Sequence, residues 1–266
     1  MNRHAMTSSL RTLALLSLGS IVLATGCSQK PTSPPATTAE QKPAAPLFKV
    51  DPATAGAITG TVRFTGKLPP RQLIDMSEDP ACGAAHHVKA YDESLMGARG
   101  GLLANAFVYI SQGLEGKNFP VPSQAVVIDQ KGCWFHPRIL GVQVNQPVDI
   151  VNSDPVTHNI HPMAELNRAW NHSQGPGDPP LHRKFLKPEI MIPVKCNIHG
   201  WMHAYIGVLD HPFFSVSNDA GVFTIPNLPP GTYTLTVWQE KLGTQQQQIT
   251  ISPQQHAVVD FNYKGK

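Results

Sequence analysis

The chain has 266 residues, of which 41% are hydrophobic and 15% are charged, and its formal net charge at pH 7 is +3. Such a chain can bury a hydrophobic core, and its 25 prolines and 21 glycines favour turn-rich β-structure. The small net charge gives no reason to expect a nucleic-acid partner. At roughly 150 residues per domain, the length predicts one or two domains.

Residues 1–26 are predicted to be a targeting segment. Arg3 and Arg11 form a short basic region, and Leu13 to Ala24 form an apolar run. The run is too short to span a bilayer and is typical of a signal peptide.

The cysteine at the end of this segment suggests a lipid anchor. The sequence Leu-Ala-Thr-Gly-Cys at 23–27 resembles the cleavage box of bacterial lipoproteins, which implies an exported, membrane-anchored protein lipidated at Cys27. The alternative is a plain secretory signal with an incidental cysteine. The remainder of 27–54 is rich in Pro, Thr, Ser and Ala, and we expect an unfolded linker there.

Folded sequence is predicted from residue 55 onward. Ile58, Val62 and Phe64 share one parity, as in a half-buried strand, and 103–110 is a second strand candidate. Near the other end, the turn residues Pro229-Pro230-Gly231 separate two further strand candidates, 222–225 and 233–237.

Motifs in these two parts resemble one known family. A Gly-x-Val opening at 60–62 and an Asp-x-Gly-x-Phe…Pro-Gly-x-Tyr-x-Leu pattern at 219–235 resemble the carboxypeptidase regulatory-like β-sandwich, which has a transthyretin-like fold. The resemblance implies that 55–120 and 212–266 form one sandwich, interrupted by a second domain at 121–211. The alternative is that the early strands pack onto the second domain instead.

The strongest motif for chemistry lies at 195–203, Lys-Cys-Asn-Ile-His-Gly-Trp-Met-His. Cys196, His199 and Met202 are spaced three residues apart, and this combination of soft sulfur and imidazole favours copper. Alternating aliphatic residues on both sides predict strands, so the motif is expected in a loop between them. A helix that carries the three side chains on one face by chance is the alternative.

A second half-site is needed for a blue-copper centre, which requires two histidines. His158 and Asn159 lie in a His-Asn-aliphatic stretch, and together with the Cys-x2-His-x2-Met loop they resemble the cupredoxins, with a spacing like that of amicyanins. The resemblance implies one type 1 copper ion held by His158, Cys196, His199 and Met202, in a Greek-key β-barrel at 121–211. It also implies that Asn159 ties the two ligand segments together.

Two of the four cysteines remain after these assignments. We predict a disulfide between Cys82 and Cys133, since an exported protein meets an oxidising environment. Closing such a loop adds about 4 kcal/mol in the chain-entropy model. The alternative is a metal site that uses Cys82 with His86 and His87, or Cys133 with His136.

The other histidines have ordinary interpretations. His161 and His203 flank proposed ligands, where they are either surface imidazoles or accessory copper ligands. Trp201 is expected to shield the metal. The remaining candidates are expected to be solvated loop residues, namely His172, His182, His211 and His256.

The sequence therefore predicts an all-β, membrane-tethered electron carrier, and not an enzyme, on the periplasmic side of the outer membrane or at the cell surface. The cupredoxin resemblance implies redox partners such as a c-type cytochrome or a periplasmic dehydrogenase. Two alternatives remain open. One is a copper buffer or delivery protein, and the other is an envelope interaction protein with a relic copper site.

Overall fold

The structure is a computed structural model that describes residues 46–265, and strands dominate that range. Beside the strands it contains one short helix, α1 (Pro80–Ala84), and one turn of 3-10 helix (Arg99–Gly101). The predicted all-β fold class is confirmed. The strands are β1 (Gly56–Thr65), β2 (Phe107–Gln112), β3 (Val126–Lys131), β4 (Trp134–His136), β5 (Ile139–Gln143), β6 (Val148–Asn152), β7 (His158–Pro162), β8 (His172–Gln174), β9 (Leu181–Arg183), β10 (Glu189–Lys195), β11 (His203–Leu209), β12 (Phe214–Val216), β13 (Val222–Leu228), β14 (Gly231–Gln239), β15 (Gly243–Ile251), β16 (His256–Val258) and β17 (Phe261–Lys264).

The first and last parts of the chain build one sandwich, which we call the terminal sandwich. One sheet has the order β13-β1-β16, with β17 also paired to β1, and the other has the order β12-β2-β14-β15. Alternating apolar residues such as Val62 in β1 and Leu235 in β14 point into a shared core between the sheets. Strands from 55–120 thus pair with strands from 212–266 and not with the intervening segment.

The intervening segment forms a second sandwich, which we call the inserted sandwich. Its sheets have the orders β5-β11-β10-β7-β8 and β4-β3-β6-β9. Its core includes Ile150 and Ile206, and also Cys196 and Met202 at the end where the predicted ligand loop lies. The loop is therefore built into the edge of a packed core.

A third core joins the two sandwiches. Side chains alternate between the two faces of a strand. Ile206 of β11 therefore packs in the core of the inserted sandwich, whereas Tyr205 and Leu209 lie on the opposite face, which is turned toward the terminal sandwich. There they meet Phe107 of β2, and Trp238 of β14 packs on the ring of Tyr205. The described part of the chain is thus one continuous packed body.

Two segments depart from the predicted boundaries. Residues 46–54, expected to belong to the linker, lie against the terminal sandwich, because Phe48 and Val50 pack on its core. Residues 66–104, assigned by the sequence to the terminal sandwich, extend onto the inserted one, where Met76 and Cys82 join its core. Apolar residues outside regular strands explain both differences.

Four histidines were expected in solvated loops. His172, His182 and His256 are exposed as expected, but they lie on the edge strands β8, β9 and β16 and not in loops, because strand pairing leaves one face of each strand open to solvent. The fourth is buried.

His211 was expected in a solvated loop, but it is 5% exposed and its Nε2 lies 2.9 Å from the carbonyl oxygen of Ile110. The backbone N–H of Phe213 donates to its other ring nitrogen. Burial keeps its pKa below the usual value for histidine.

The signal peptide, the lipidation site Cys27 and the linker as far as residue 45 lie outside the described residues. Within 46–265, no helix has the length and apolar character that crossing a bilayer demands.

Candidate metal centre

The candidate ligands come from two segments that the sheet brings side by side. His158 begins β7, while Cys196, His199 and Met202 lie in the connection between β10 and β11. Strand β10 pairs with both β7 and β11, so this connection emerges next to His158. Its backbone folds into a turn rather than a helix: the N–H of Met202 donates to His199 and that of Cys196 donates to Met202.

The donor atoms of His158, Cys196 and His199 converge on one buried point. Nδ1 of His158 lies 3.0 Å from Nδ1 of His199, and Sγ of Cys196 lies 3.9 Å from the same nitrogen of His199. The three donor atoms all lie within 4.8 Å of one another. His158, Cys196 and His199 are 0%, 3% and 3% exposed. Met202 is fully buried in the same core cluster as Cys196.

The sulfur of Cys196 is arranged as a thiolate would require. The backbone N–H of Asn159 donates to Sγ at 3.4 Å and that of His199 donates at 3.3 Å. The side chain of Asn159 also accepts the N–H of Asn197 at 3.1 Å. Asn159 therefore links the two ligand segments in the structure, in the way that the sequence resemblance implied.

The outer nitrogen of each imidazole faces a carboxylate. Nε2 of His158 lies 2.7 Å from Oδ2 of Asp154, and Nε2 of His199 lies 3.1 Å from Oδ2 of Asp79. A carboxylate only accepts hydrogen bonds, so each Nε2 is the donor, and in a neutral imidazole Nδ1 then keeps its lone pair. Both lone pairs then point toward the same buried point.

Asp154 is held by the turn between β3 and β4. That turn uses left-handed backbone conformations at Gly132 and Cys133, with φ of 62° and 57°. The N–H groups of both residues donate to the Asp154 carboxylate at 2.7 Å. With the imidazole of His158, three donors fix this buried acid.

Asp79 is held by helix α1. Its Oδ1 caps the helix by accepting the N–H groups of Ala81 and Cys82, which leaves Oδ2 for His199. The hydrogen bond from His199 keeps the pKa of Asp79 below its usual value. Cys82 and Cys133 form a disulfide, with their Cα atoms 5.5 Å apart. This bridge ties the helix that carries Asp79 to the turn that holds Asp154.

The residues present fit a copper ion. Two imidazole lone pairs that face each other at 3.0 Å repel unless a cation or a proton lies between them. Burial lowers the pKa of His158, and the bond from Asp154 offsets this only in part, so the imidazole stays in the neutral, ligating form. Two imidazoles with a thiolate and a buried thioether are the donor set of a blue-copper site.

Helix α1 and Trp201 cover this centre. The ring of Trp201 packs 5.1 Å from that of His199, and its indole N–H donates to the carbonyl of Cys133 at 3.1 Å. Trp201 is half-buried, as expected for a shielding side chain. His161 and His203 both pair with Lys195 on neighbouring strands; His161 is half-buried, His203 is exposed, and neither belongs to the cluster of buried donors among the described residues.

The alternative use of Cys82 or Cys133 as a metal ligand does not match the structure, because both sulfurs are in the disulfide. His136 is exposed on β4.

Sequence reasoning missed Asp79 and Asp154. Asp154 lies four residues before His158, which was a usable signal, although the stretch between them is not helical. Asp79 is 120 residues from His199 in the chain, and no motif connects the two. Only the path of the 66–104 segment brings them together.

Comparisons with known proteins address the two sandwiches separately. The family model of the carboxypeptidase regulatory-like domain matches residues 208–264, so the predicted resemblance of this part is confirmed. A search of curated proteins found no match.

Similar solved structures include several copper proteins. A copper-containing nitrite reductase from Thermus scotoductus is 21% identical over 38% of this chain and 26% of that chain, with a TM-score of 0.31. A point mutant of amicyanin in its oxidised state is 22% identical over 33% and 85% of the two chains, with a TM-score of 0.30. A purple cupredoxin from Nitrosopumilus maritimus is 20% identical over 32% and 97%, with a TM-score of 0.27. The chain thus spans about a quarter of the nitrite reductase.

Proposed function

We propose that this chain is a one-electron carrier that uses a single type 1 copper ion held by His158, Cys196, His199 and Met202. The observation that supports the proposal most directly is the convergence of two imidazole Nδ1 atoms and one thiol in a buried pocket, with both outer imidazole nitrogens on carboxylates. Copper bound there would supply a centre that alternates between two oxidation states.

The protein's own contribution is to hold the donors still. His158 and Cys196 lie at the ends of paired strands, and His199 is fixed by Asp79 on one side and Trp201 on the other. Donors held by a packed β-sandwich need little rearrangement when the charge at the site changes, which favours fast electron transfer. Burial of all four side chains also keeps water and substrates away, which is the reason to propose a carrier and not an enzyme.

The same burial counts against a delivery or buffer protein, which must release its metal. His199 is only 3% exposed, and Asp79 at the start of α1 and the sulfur of Cys82 contact its outer nitrogen. A relic site is disfavoured because each of the four positions retains a donor side chain. The proposal also includes export, a lipid anchor at Cys27, and a c-type cytochrome or periplasmic dehydrogenase as redox partner. These parts of it rest on the sequence motifs alone.

The test is the absorption and paramagnetic-resonance spectrum of the copper-loaded protein. We expect an intense visible thiolate-to-copper band, because Cys196 supplies a thiolate that accepts two N–H bonds. In Cys196→Ser this band should vanish while far-ultraviolet circular dichroism stays that of a β protein. A matched control is Met191→Leu, which changes a buried sulfur in the core between the sandwiches. A colourless copper-loaded wild type would contradict the proposal.

A further inference from the structure

A cationic cleft lies on the inserted sandwich, away from helix α1. Its volume is about 670 Å³ and its charged lining consists of Arg168, Arg183, Lys184 and Lys187. No acidic side chain lines it, and within residues 46–265 none of these four cations takes part in an ion pair. Leu166 and Leu186, 59% and 69% exposed, add apolar surface to its walls.

The walls of the cleft are fixed in the structure. The side chain of Asn167 accepts the N–H groups of Leu186 and Lys187 and donates to the carbonyl of Lys187. The carboxylate of Glu189 accepts three backbone N–H groups from 165–167. These bonds hold the 165–167 segment in place, and among the described residues the carboxylate of Glu189 forms no ion pair with any of the four cations.

A chain of contacts connects this cleft with the proposed copper ligands. Trp170 lines the cleft, and the guanidinium of Arg183 lies 5.1 Å from the centre of its ring. Trp170 also packs against the core that contains Cys196. The next residue, Asn171, bonds the side chain of Asn159, whose N–H donates to the sulfur of Cys196. A path of contacts therefore runs from the sulfur of Cys196 through Asn159 and Asn171 to Trp170 in the cleft.

We propose that this cleft is the docking surface for an acidic electron-transfer protein, and that electrons enter or leave through it. The inference rests on the proposed function and deepens it by naming the class of partner and the face that receives it. Exposed leucines supply the apolar contact, and four free cations favour a surface of opposite charge. The groove beside helix α1 has Lys89 as its one lysine and no arginine among its lining residues, so it lacks the clustered cations of the cleft.

The test compares two charge-reversed variants of the copper-loaded full chain with the wild type. Arg168→Glu/Lys184→Glu reverses two exposed cations of the cleft, and Arg63→Glu/Lys67→Glu makes the same change on the terminal sandwich. Stopped flow follows oxidation of the reduced protein, in which one electron passes to hexacyanoferrate(III) and yields hexacyanoferrate(II). Tris(phenanthroline)cobalt(III), a cationic oxidant, serves as the second probe.

At low ionic strength we expect the cleft variant to react at least about tenfold more slowly with the anionic probe, and the control variant to change far less, because steering depends on local charge. With the cationic probe the cleft variant should react no more slowly than the wild type. High salt should remove most of these differences.

Equal slowing in both variants, or none in either, would overturn the docking surface while leaving the proposed function intact, provided that the thiolate band and a reversible one-electron couple are present. Loss of that band and couple in the wild type would overturn both. Binding to phosphatidylglycerol vesicles that the cleft variant abolishes, with unchanged oxidation rates, would assign the cleft to a membrane surface and would also overturn the proposal.

Discussion

At the scale of single residues, His199 is polarised from both sides. Its Nδ1 faces Cys196 and His158, and its Nε2 donates to the carboxylate of Asp79. A carboxylate that accepts the outer N–H of a ligating imidazole raises the basicity of the ring, and such partners commonly change metal affinity by about 10–100-fold. Asp79 should therefore favour the more highly charged, oxidised copper.

Asp79→Asn tests this role. The amide keeps the shape of the side chain but removes its charge, so we expect the reduction potential of the copper-loaded protein to rise by up to about 60 mV, a tenfold shift in a one-electron equilibrium. Cyclic voltammetry measures the potential, and paramagnetic resonance reports the altered ligand field. Asp75→Asn is the matched control, because Asp75 is exposed in the same segment and bonds only Ser77. Equal potentials in the two variants would refute the role of Asp79.

The residue scale also shows where sequence reasoning ends. Cys196, His199 and Met202 were predictable because one short loop carries them, and His158 because an asparagine follows it in a recognisable stretch. Asp79 was not predictable, since its side chain reaches His199 only through the tertiary path of 66–104. His211 was assigned to solvent from its loop position, whereas local packing buries it.

At the scale of elements, the disulfide links the supports of the two imidazoles. Cys82 lies on α1 three residues after Asp79, and Cys133 donates its N–H to Asp154. The bridge therefore holds both carboxylates in one frame, although α1 itself has only five residues. A helix this short depends on tertiary contacts for its stability.

Cys82→Ala/Cys133→Ala should lower the free energy of unfolding by about 4 kcal/mol, the loop-closure contribution for 51 residues. Urea denaturation measures this loss. Hydrogen exchange should also speed up in 79–86, because α1 loses its covalent attachment. Unchanged stability together with unchanged exchange would show that packing alone holds the helix.

Glu189 joins two other elements, β10 and the turn at 165–167. Burial alone would raise its pKa, but the N–H groups of Glu165, Asn167 and Leu166 together keep the pKa below the usual value. A carboxyl whose pKa is lower in the folded state stabilises the fold above its unfolded pKa of roughly 4.3, and this stabilisation is lost as the pH falls toward the folded pKa.

We therefore expect Glu189→Gln to be less stable than the wild type at pH 6, and the difference to shrink as the pH approaches 3. Urea midpoints at the two pH values measure it. Glu165→Gln is the matched control, since only the backbone of Glu165 contributes to the turn. A constant difference between Glu189→Gln and the wild type would contradict the argument.

At the scale of the whole molecule, the sequence predicted two β-sandwich regions but left their strand pairing open. Alternation of apolar and polar residues predicts which face of a strand is buried, but it does not predict which strand or sheet packs against that face. Gly141 and Gly207 illustrate the missing information: a Cβ at either position would come within 2.9 Å of an aromatic ring of the terminal sandwich, Phe107 or Phe214. Their role becomes visible only once the third core is assembled.

The same junction contains a buried ion pair, which provides a test of how the sandwiches are joined. The guanidinium of Arg138, just before β5, binds the carboxylate of Glu240, just after β14, through two bonds of 2.8 and 3.0 Å. Both side chains are almost fully buried, at 7% and 6% exposed. Removing one partner leaves an unpaired buried charge, which costs about 3–5 kcal/mol.

Arg138→Met should therefore destabilise the protein by about 3–5 kcal/mol in urea denaturation, whereas Arg138→Met/Glu240→Leu should recover most of that loss, because no charge remains to be desolvated. Recovery would mean that the third core holds the sandwiches together and that the ion pair fixes their alignment. If the double variant is as unstable as the single one, the pair itself supplies the cohesion between them. Separate unfolding transitions for the two sandwiches in the double variant would support that second outcome, since the apolar core would then be too weak to couple them.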